Sequence, residues 1–310
     1  MKQITKIVIV CTNSLLVTSF TAPGSTIQRL RTMFSRNTEQ AQQIVTQEYT
    51  LQGQRPLTIT NPYGSVSIKK EWSQDKVALS MSTVATAEQI PAATIEEQQA
   101  VNGSLMLSVV CPDADKKTIV NLELIVPEKR DLRITTNKGG IYVENIQAGI
   151  AATTLSGPIQ LTHISGTIMA KTEKKGAIII DKTHGNIKVT ANKGDITILN
   201  TTDSVLASTE RGSVHLTCQK LPATSKLNIH ANSGKIIVDL PQEVNADLMA
   251  KTKSGTVVCN HFVTIKPFTT QWNKNAWKHL KHEICGTLGT GEALISIQSD
   301  RGNIKIGKYA

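Results

Sequence analysis

Apolar residues in this chain fall at alternate positions in short runs, and a glycine stands two residues ahead of most runs. Gly139 leads Ile141 and Val143, Gly157 leads Ile159 and Leu161, and Gly176 leads Ile178 and Ile180. Gly194 leads Ile196 and Ile198, Gly212 leads Val214 and Leu216, Gly234 leads Ile236 and Val238, and Gly255 leads Val257 and Cys259. Between these lies a weaker series, Gly149, Gly166, Gly185 and then Asp203. It leads Ala151, then Ile168 and Ala170, then Ile187 and Val189, then Val205 and Ala207. Alternation with period two gives each short strand one buried face, and a corner glycine supplies the freedom a tight bend needs.

A hairpin would exhaust this pattern after two strands, whereas here it continues for at least six turns. The reading is therefore an all-β, single-stranded parallel β-solenoid, β-helix- or β-roll-like, with about 18–22 residues and two short strands per rung. Rungs stacked about 4.8 Å apart then enclose a thin aliphatic core between two parallel sheets. Four residues before the corner glycines stand Thr135, Thr153, Thr172, Thr190 and Ser208, a hydroxyl ladder along one edge. Threonine's preference for strands and turns accounts for that ladder at least as well as a binding track does.

The pattern extends upstream, where Leu57 alternates with Ile59 and Gly64 leads Val66 and Ile68. It breaks in "TAEQIPAATIEEQQAVNG", read as a loop or short helix, and again after Asn260. There "QWNKNAWKHLKHEI" spaces Trp277, Leu280 and Ile284 as a helix would, with Lys274, Lys278 and Lys281 on the other side. A short helical insert at about 270–284 is thus expected, lying over an end of the stack. Its basic, Trp-bearing side, with Trp272, Trp277, Lys278 and Lys281, is the candidate surface or membrane contact. The solenoid resumes where Gly302 leads Ile304 and Ile306.

Residues 1–22 read as a signal peptide. Lys2 and Lys6 precede a mostly apolar stretch from Ile7 to Phe20 that Thr12, Asn13 and Ser14 interrupt, too short and polar for a membrane span. Residues 23–48 read as a polar linker and 49–310 as the solenoid domain. The protein is expected to be exported, to the periplasm, cell envelope or extracellular space. Removing the signal leaves Cys111, Cys218, Cys259 and Cys285. Cys218 and Cys259 fall two rungs apart, roughly 9–10 Å, beyond the roughly 7 Å Cα limit of a disulfide, so both read as buried thiols. The pairing of Cys111 with Cys285 stays open.

The net charge of +10 invites an anionic partner, but the basic residues are scattered without a run or aromatic interleaving. Solubility explains that charge better than nucleic-acid binding. Aromatic residues make up only 4% of the chain, which suits closely stacked strands.

"NPYGSVSIKKEWSQDKVAL", "NLELIVPEKRDLRITTNKGGIYVENIQAGI", the serial corners and the closing "GTLGTGEALISIQSDRGNIKIG" resemble the DUF4097 family of bacterial adhesin-like β-solenoid proteins. The resemblance spans roughly residues 47 to 308. It implies an exported adhesin-like solenoid and brings no catalytic residues with it.

No column of acids runs from rung to rung: Asp181, Asp195 and Asp203 stand apart, and a lone solenoid Asp is usually a turn residue. His279 and His282 are the best metal-like pair, outweighed by their reading as a basic helix surface. The expectation is a non-enzyme without cofactor whose long faces bind a protein or glycan at the cell surface. A carbohydrate-active β-helix enzyme and a structural envelope scaffold are the alternatives.

Overall fold

The computed structural model describes residues 41–50, 55–71, 76–85, 93–99, 104–112, 118–265 and 281–309. The signal-peptide reading, most of the linker, and Trp272, Trp277, Lys278 and His279 lie outside them. In chain order the strands begin with β1 (Ala41–Thr50), β2 (Leu57–Asn61), β3 (Val66–Glu71), β4 (Lys76–Ala85), β5 (Thr94–Gln99), β6 (Leu105–Val110) and β7 (Ile119–Pro127). The middle of the chain supplies β8 (Leu132–Thr136), β9 (Ile141–Ile146), β10 (Ile150–Ser156), β11 (Ile159–Ile164), β12 (Ile168–Lys175) and β13 (Ile178–Asp181). It continues with β14 (Ile187–Lys193), β15 (Ile196–Thr201), β16 (Val205–Arg211), β17 (Val214–Cys218), β18 (Lys226–Ser233) and β19 (Ile236–Leu240). The last strands are β20 (Ala246–Ser254), β21 (Val257–Cys259), β22 (Thr264–Ile265), β23 (Glu283–Leu288), β24 (Ala293–Arg301) and β25 (Ile304–Lys308).

From β8 to β19 each rung gives its even-numbered strand to one sheet and its odd-numbered strand to the other, and successive rungs pair in parallel. Among the described residues the sheets hold 13 and 12 strands. Register explains the alternation, because Ile178 pairs with Ile196 and Ile180 with Ile198, placing like residues over like. Ile187, Val189, Ile196 and Ile198 of one rung are at most 2% exposed. Each such side chain contributes about 1.5–3 kcal/mol by leaving water, so a two-strand rung holds only when it is stacked.

Two corrections come from register. Ala152, not Ala151, is the alanine that β10 buries, and it pairs with Ala170. Gly149 misleads here because Gly166 and Gly185 stack over Ala148, one residue earlier. Likewise Thr135, Thr153, Thr190 and Ser208 share one outward register, but Lys171 holds the place read for Thr172; Thr172 is buried instead, with Thr136, Thr154 and Thr209. A slip of one residue exchanges the faces of a strand.

The ends depart from a simple spiral. The rung of β24 and β25 is inserted between that of β18 and β19 and that of β20 and β21. At the opposite end, β2 and β3 sit between β6 and β7 on one side and β8 and β9 on the other. The rung of β2 with β3 and the rung of β24 with β25 are therefore each held between two other rungs. Antiparallel strands finish the sheets: β1 on β4 and β4 on β7, β5 on β6, and β22 on β23 with β23 on β20. Residues 41–48, read as linker, thus belong to β1, whose polar composition hid an edge strand. Residues 94–99 of the stretch read as loop or helix form β5.

The expected helical insert is not seen among the described residues: residues 270–280 lie outside them, only Lys281 and His282 are helical, and Glu283 and Ile284 open β23. Pairing with β20 overrides the helical spacing there, since Ile284 packs beside Ala250 instead of completing an apolar helix face.

Candidate functional site

Every rung turns twice, and the two edges so formed use opposite chemistry. On the first edge Gly139, Gly157, Gly176, Gly194, Gly212, Gly234, Gly302 and Gly255 stack in that order, with Gly64 below Gly139. A Cβ on Gly194 would lie 2.0 Å from the carbonyl oxygen of Gly176, a distance no side chain survives. Close approach of backbone to backbone therefore demands glycine. The Gly194 N–H donates to the Arg211 carbonyl at 2.9 Å, tying one rung to the next. The buried threonines bond to the same edge: Thr136 and Thr154 donate to the Gly139 carbonyl, Thr209 to Gly194 and Thr252 to Gly302. Ser299 alone on this inner wall has an unpartnered hydroxyl among the described residues.

On the second edge the chain bends through Asn145, His163, Lys182 and Asn200, all left-handed with φ between 52° and 61°. Non-glycine residues adopt this region at a cost of roughly 1–2 kcal/mol, least for asparagine. Here four successive rungs keep side chains where glycine would relieve the bend. The residue after each is buried: Ile146, Ile164, Thr183 and Thr201, with Cys218 in the next rung. The Thr183 and Thr201 hydroxyls find no partner among the described residues. Burial pushes the Cys218 thiol up to about 12, so it packs as a small apolar group.

Outside this edge runs a groove of about 490 Å³, lined by Lys70, Glu128, Asn145, Gln147, His163, Ser165, Lys182, His184, Asn200 and Gln219 among others. Lys70 and Glu128 form an ion pair of 2.8 Å at one end. At the other, the Asn200 amide donates to Asp181 at 2.8 Å and its oxygen accepts from Tyr309 at 3.0 Å and Gln219 at 3.2 Å. Asn145, His163, Lys182 and His184 between them are exposed. The groove offers amides, imidazoles and an ammonium in a row, at the roughly 4.8 Å step of parallel strands.

A profile of the family described as Toastrack DUF4097 matches residues 94–307, more than half of the chain. The chain belongs to the DUF4097 family. No curated protein matches it. The crystal structure of a candidate adhesin from Bacteroides fragilis is similar, with TM-score 0.48 and 11% identity over 85% of this chain and 97% of that one. That of a candidate cell adhesion protein from Clostridium sporogenes has TM-score 0.28 and 11% identity over 85% of this chain and 99% of that one.

The eight corner glycines of this DUF4097 chain come together in one column. Of the helix residues, Lys281 is exposed and His282 is half-buried, its Nδ1 unpartnered among the described residues. No group of three metal-binding side chains occurs among those residues. Cys218, Cys259 and Cys285 are free thiols. Cys218 and Cys259 stand three rungs apart rather than two, because the last rung is inserted between them. Sequence reading missed the second edge, where Asn145, His163, Lys182 and Asn200 do not repeat one residue type as the glycines do. Its one signal was that these polar residues recur at the spacing of the glycines.

Proposed function

We propose that this DUF4097 chain is an exported, non-catalytic, adhesin-like solenoid that binds an extended partner, a surface polymer or a polypeptide, along its length. The observation that carries this reading is the second edge. On four consecutive rungs one non-glycine residue is held left-handed there, and these side chains line an open groove. Strain kept where glycine would remove it points to a use for the side chains. Straight stacking supports a linear ligand, since it offers one similar subsite per rung. Glu128 is the one carboxylate lining the groove among the described residues, and Lys70 neutralises it. Glycoside hydrolysis by a carboxylate pair would call for a second acid beside it, which favours binding over turnover.

The test is a screen of the purified chain at physiological salt against glycans, peptidoglycan and surface proteins, repeated with Asn145→Gly/His163→Gly/Lys182→Gly. The reading expects a ligand that the native chain binds and the triple variant loses. No binding by the native chain, or equal binding by both, would overturn it.

A further inference from the structure

The residue just before each corner glycine forms a second column that the scattered charges of the sequence conceal. In stacking order it reads Lys138, Ser156, Lys175, Lys193, Arg211, Ser233, Arg301 and Ser254. Five are basic and three are serine; none is acidic or apolar. Register places Lys193 against Arg211, Arg211 against Ser233, and Ser233 against Arg301. The Gly176 N–H bonds to the Lys193 carbonyl, which sets Lys175 one rung below Lys193. Lys175, Lys193 and Arg211 are therefore like charges on three consecutive rungs, about 4.8 Å apart, and all three are exposed.

Like charges facing one another across strands destabilise a sheet, and no acid among the described residues forms an ion pair with these three. No ion pair found among the described residues takes up any of the five. Acids close by in the sequence are engaged elsewhere. Asp195 accepts the Ser213 N–H at 2.7 Å, Glu210 accepts the Asn232 amide at 3.1 Å, and Glu173 pairs with Lys171 at 2.9 Å. Asp300 pairs with Lys253, whose hydrogen bond holds that carboxyl below its ordinary range.

We propose that this glycine-edge column is a binding site for a linear acidic polysaccharide, its carboxylates lying one per rung along Lys175, Lys193 and Arg211 toward Arg301. The site is separate from the groove of the second edge and does not depend on it. Periodicity selects the ligand class. A uronate chain carries one carboxylate per sugar on a backbone whose repeat is about one rung, and serine hydroxyls at the intervening rungs suit sugar hydroxyls. Duplex DNA spaces phosphates about 3.4 Å per strand along its axis, out of step with the rungs. Single strands need aromatic platforms, and the residues before these eight glycines include no aromatic.

The experiment measures binding of polygalacturonate to the purified chain across a salt series, with poly(dT) as the competing polyanion. Lys175→Gln/Lys193→Gln/Arg211→Gln is compared with Lys171→Gln/Lys251→Gln/Lys253→Gln, which removes the same charge from lysines already paired to acids. The proposal expects polygalacturonate binding at about 150 mM salt. The ladder variant should bind about tenfold or more weakly with a shallower salt dependence, while the paired-lysine variant keeps most affinity. Equal loss in both variants would assign the effect to net charge and overturn it, as would no polygalacturonate binding or a preference for poly(dT). A melting temperature kept by the ladder variant shows that affinity, not folding, was changed. If the triple variant does not fold, Lys193→Gln alone should still weaken binding more than Lys171→Gln, and the reverse order overturns the proposal.

Discussion

The two edges of the stack perform the same turn with opposite means. On the glycine edge, backbone packs on backbone, and buried threonines satisfy themselves on glycine carbonyls. On the other edge, left-handed Asn, His and Lys keep their side chains outside while Thr183 and Thr201 go unsatisfied inside. The first arrangement serves stability. The second costs stability at each of several positions, which is expected where a surface is shaped for something other than folding.

The largest predicted effect lies on the glycine edge. Gly194→Ala sets a Cβ against the Gly176 carbonyl oxygen, and should destabilise by about 3 kcal/mol or more, read from chemical denaturation. A loss below 1 kcal/mol would mean that the edge can relax and that the contrast is overstated. Next comes alkaline pH, through Cys218 under the second edge. Its folded thiol, raised to about 12, stays protonated where the unfolded thiol ionises. Its contribution is fully present below the unfolded value near 9 and fades as pH rises toward 12. Denaturation midpoints should fall across that window, and Cys218→Val should flatten part of the fall.

Smaller effects should take opposite signs on the two edges. Thr201→Val removes an unpartnered buried hydroxyl and should stabilise by about 1 kcal/mol. Thr154→Val removes a hydroxyl bonded to the Gly139 carbonyl at 3.2 Å and should cost about 1 kcal/mol. Thermal unfolding of the two variants side by side gives the signs directly. Smallest is Lys182→Gly. Relief of the left-handed bend offsets the greater freedom of glycine in the unfolded chain, so the melting temperature should hold or rise slightly.

Legibility followed the same divide. Repeated residue types made the glycine edge and the inward columns readable, so Gly194 with Ile196 and Ile198 sits where alternation puts it. Local spacing does not encode neighbour order: nothing between Asn260 and Ala293 announces that β24 returns to lie between β18 and β20. A one-residue ambiguity at Gly149 exchanged Ala151 for Ala152, because the corner there is Ala148. The second edge is a shared backbone conformation built from different residue types, which only the fold aligns. The basic column was present in the sequence, spread at rung intervals rather than in a run.

The most direct test of the account is one protein measured twice, Asn145→Gly/His163→Gly/Lys182→Gly. Its thermal unfolding and its binding to the ligand found with the native chain are compared with those of the native protein. The account predicts a melting temperature equal to or above the native one together with lost binding. A destabilised variant, or a stable one that binds as well as the native chain, would show that those side chains serve the fold or nothing, and would contradict it.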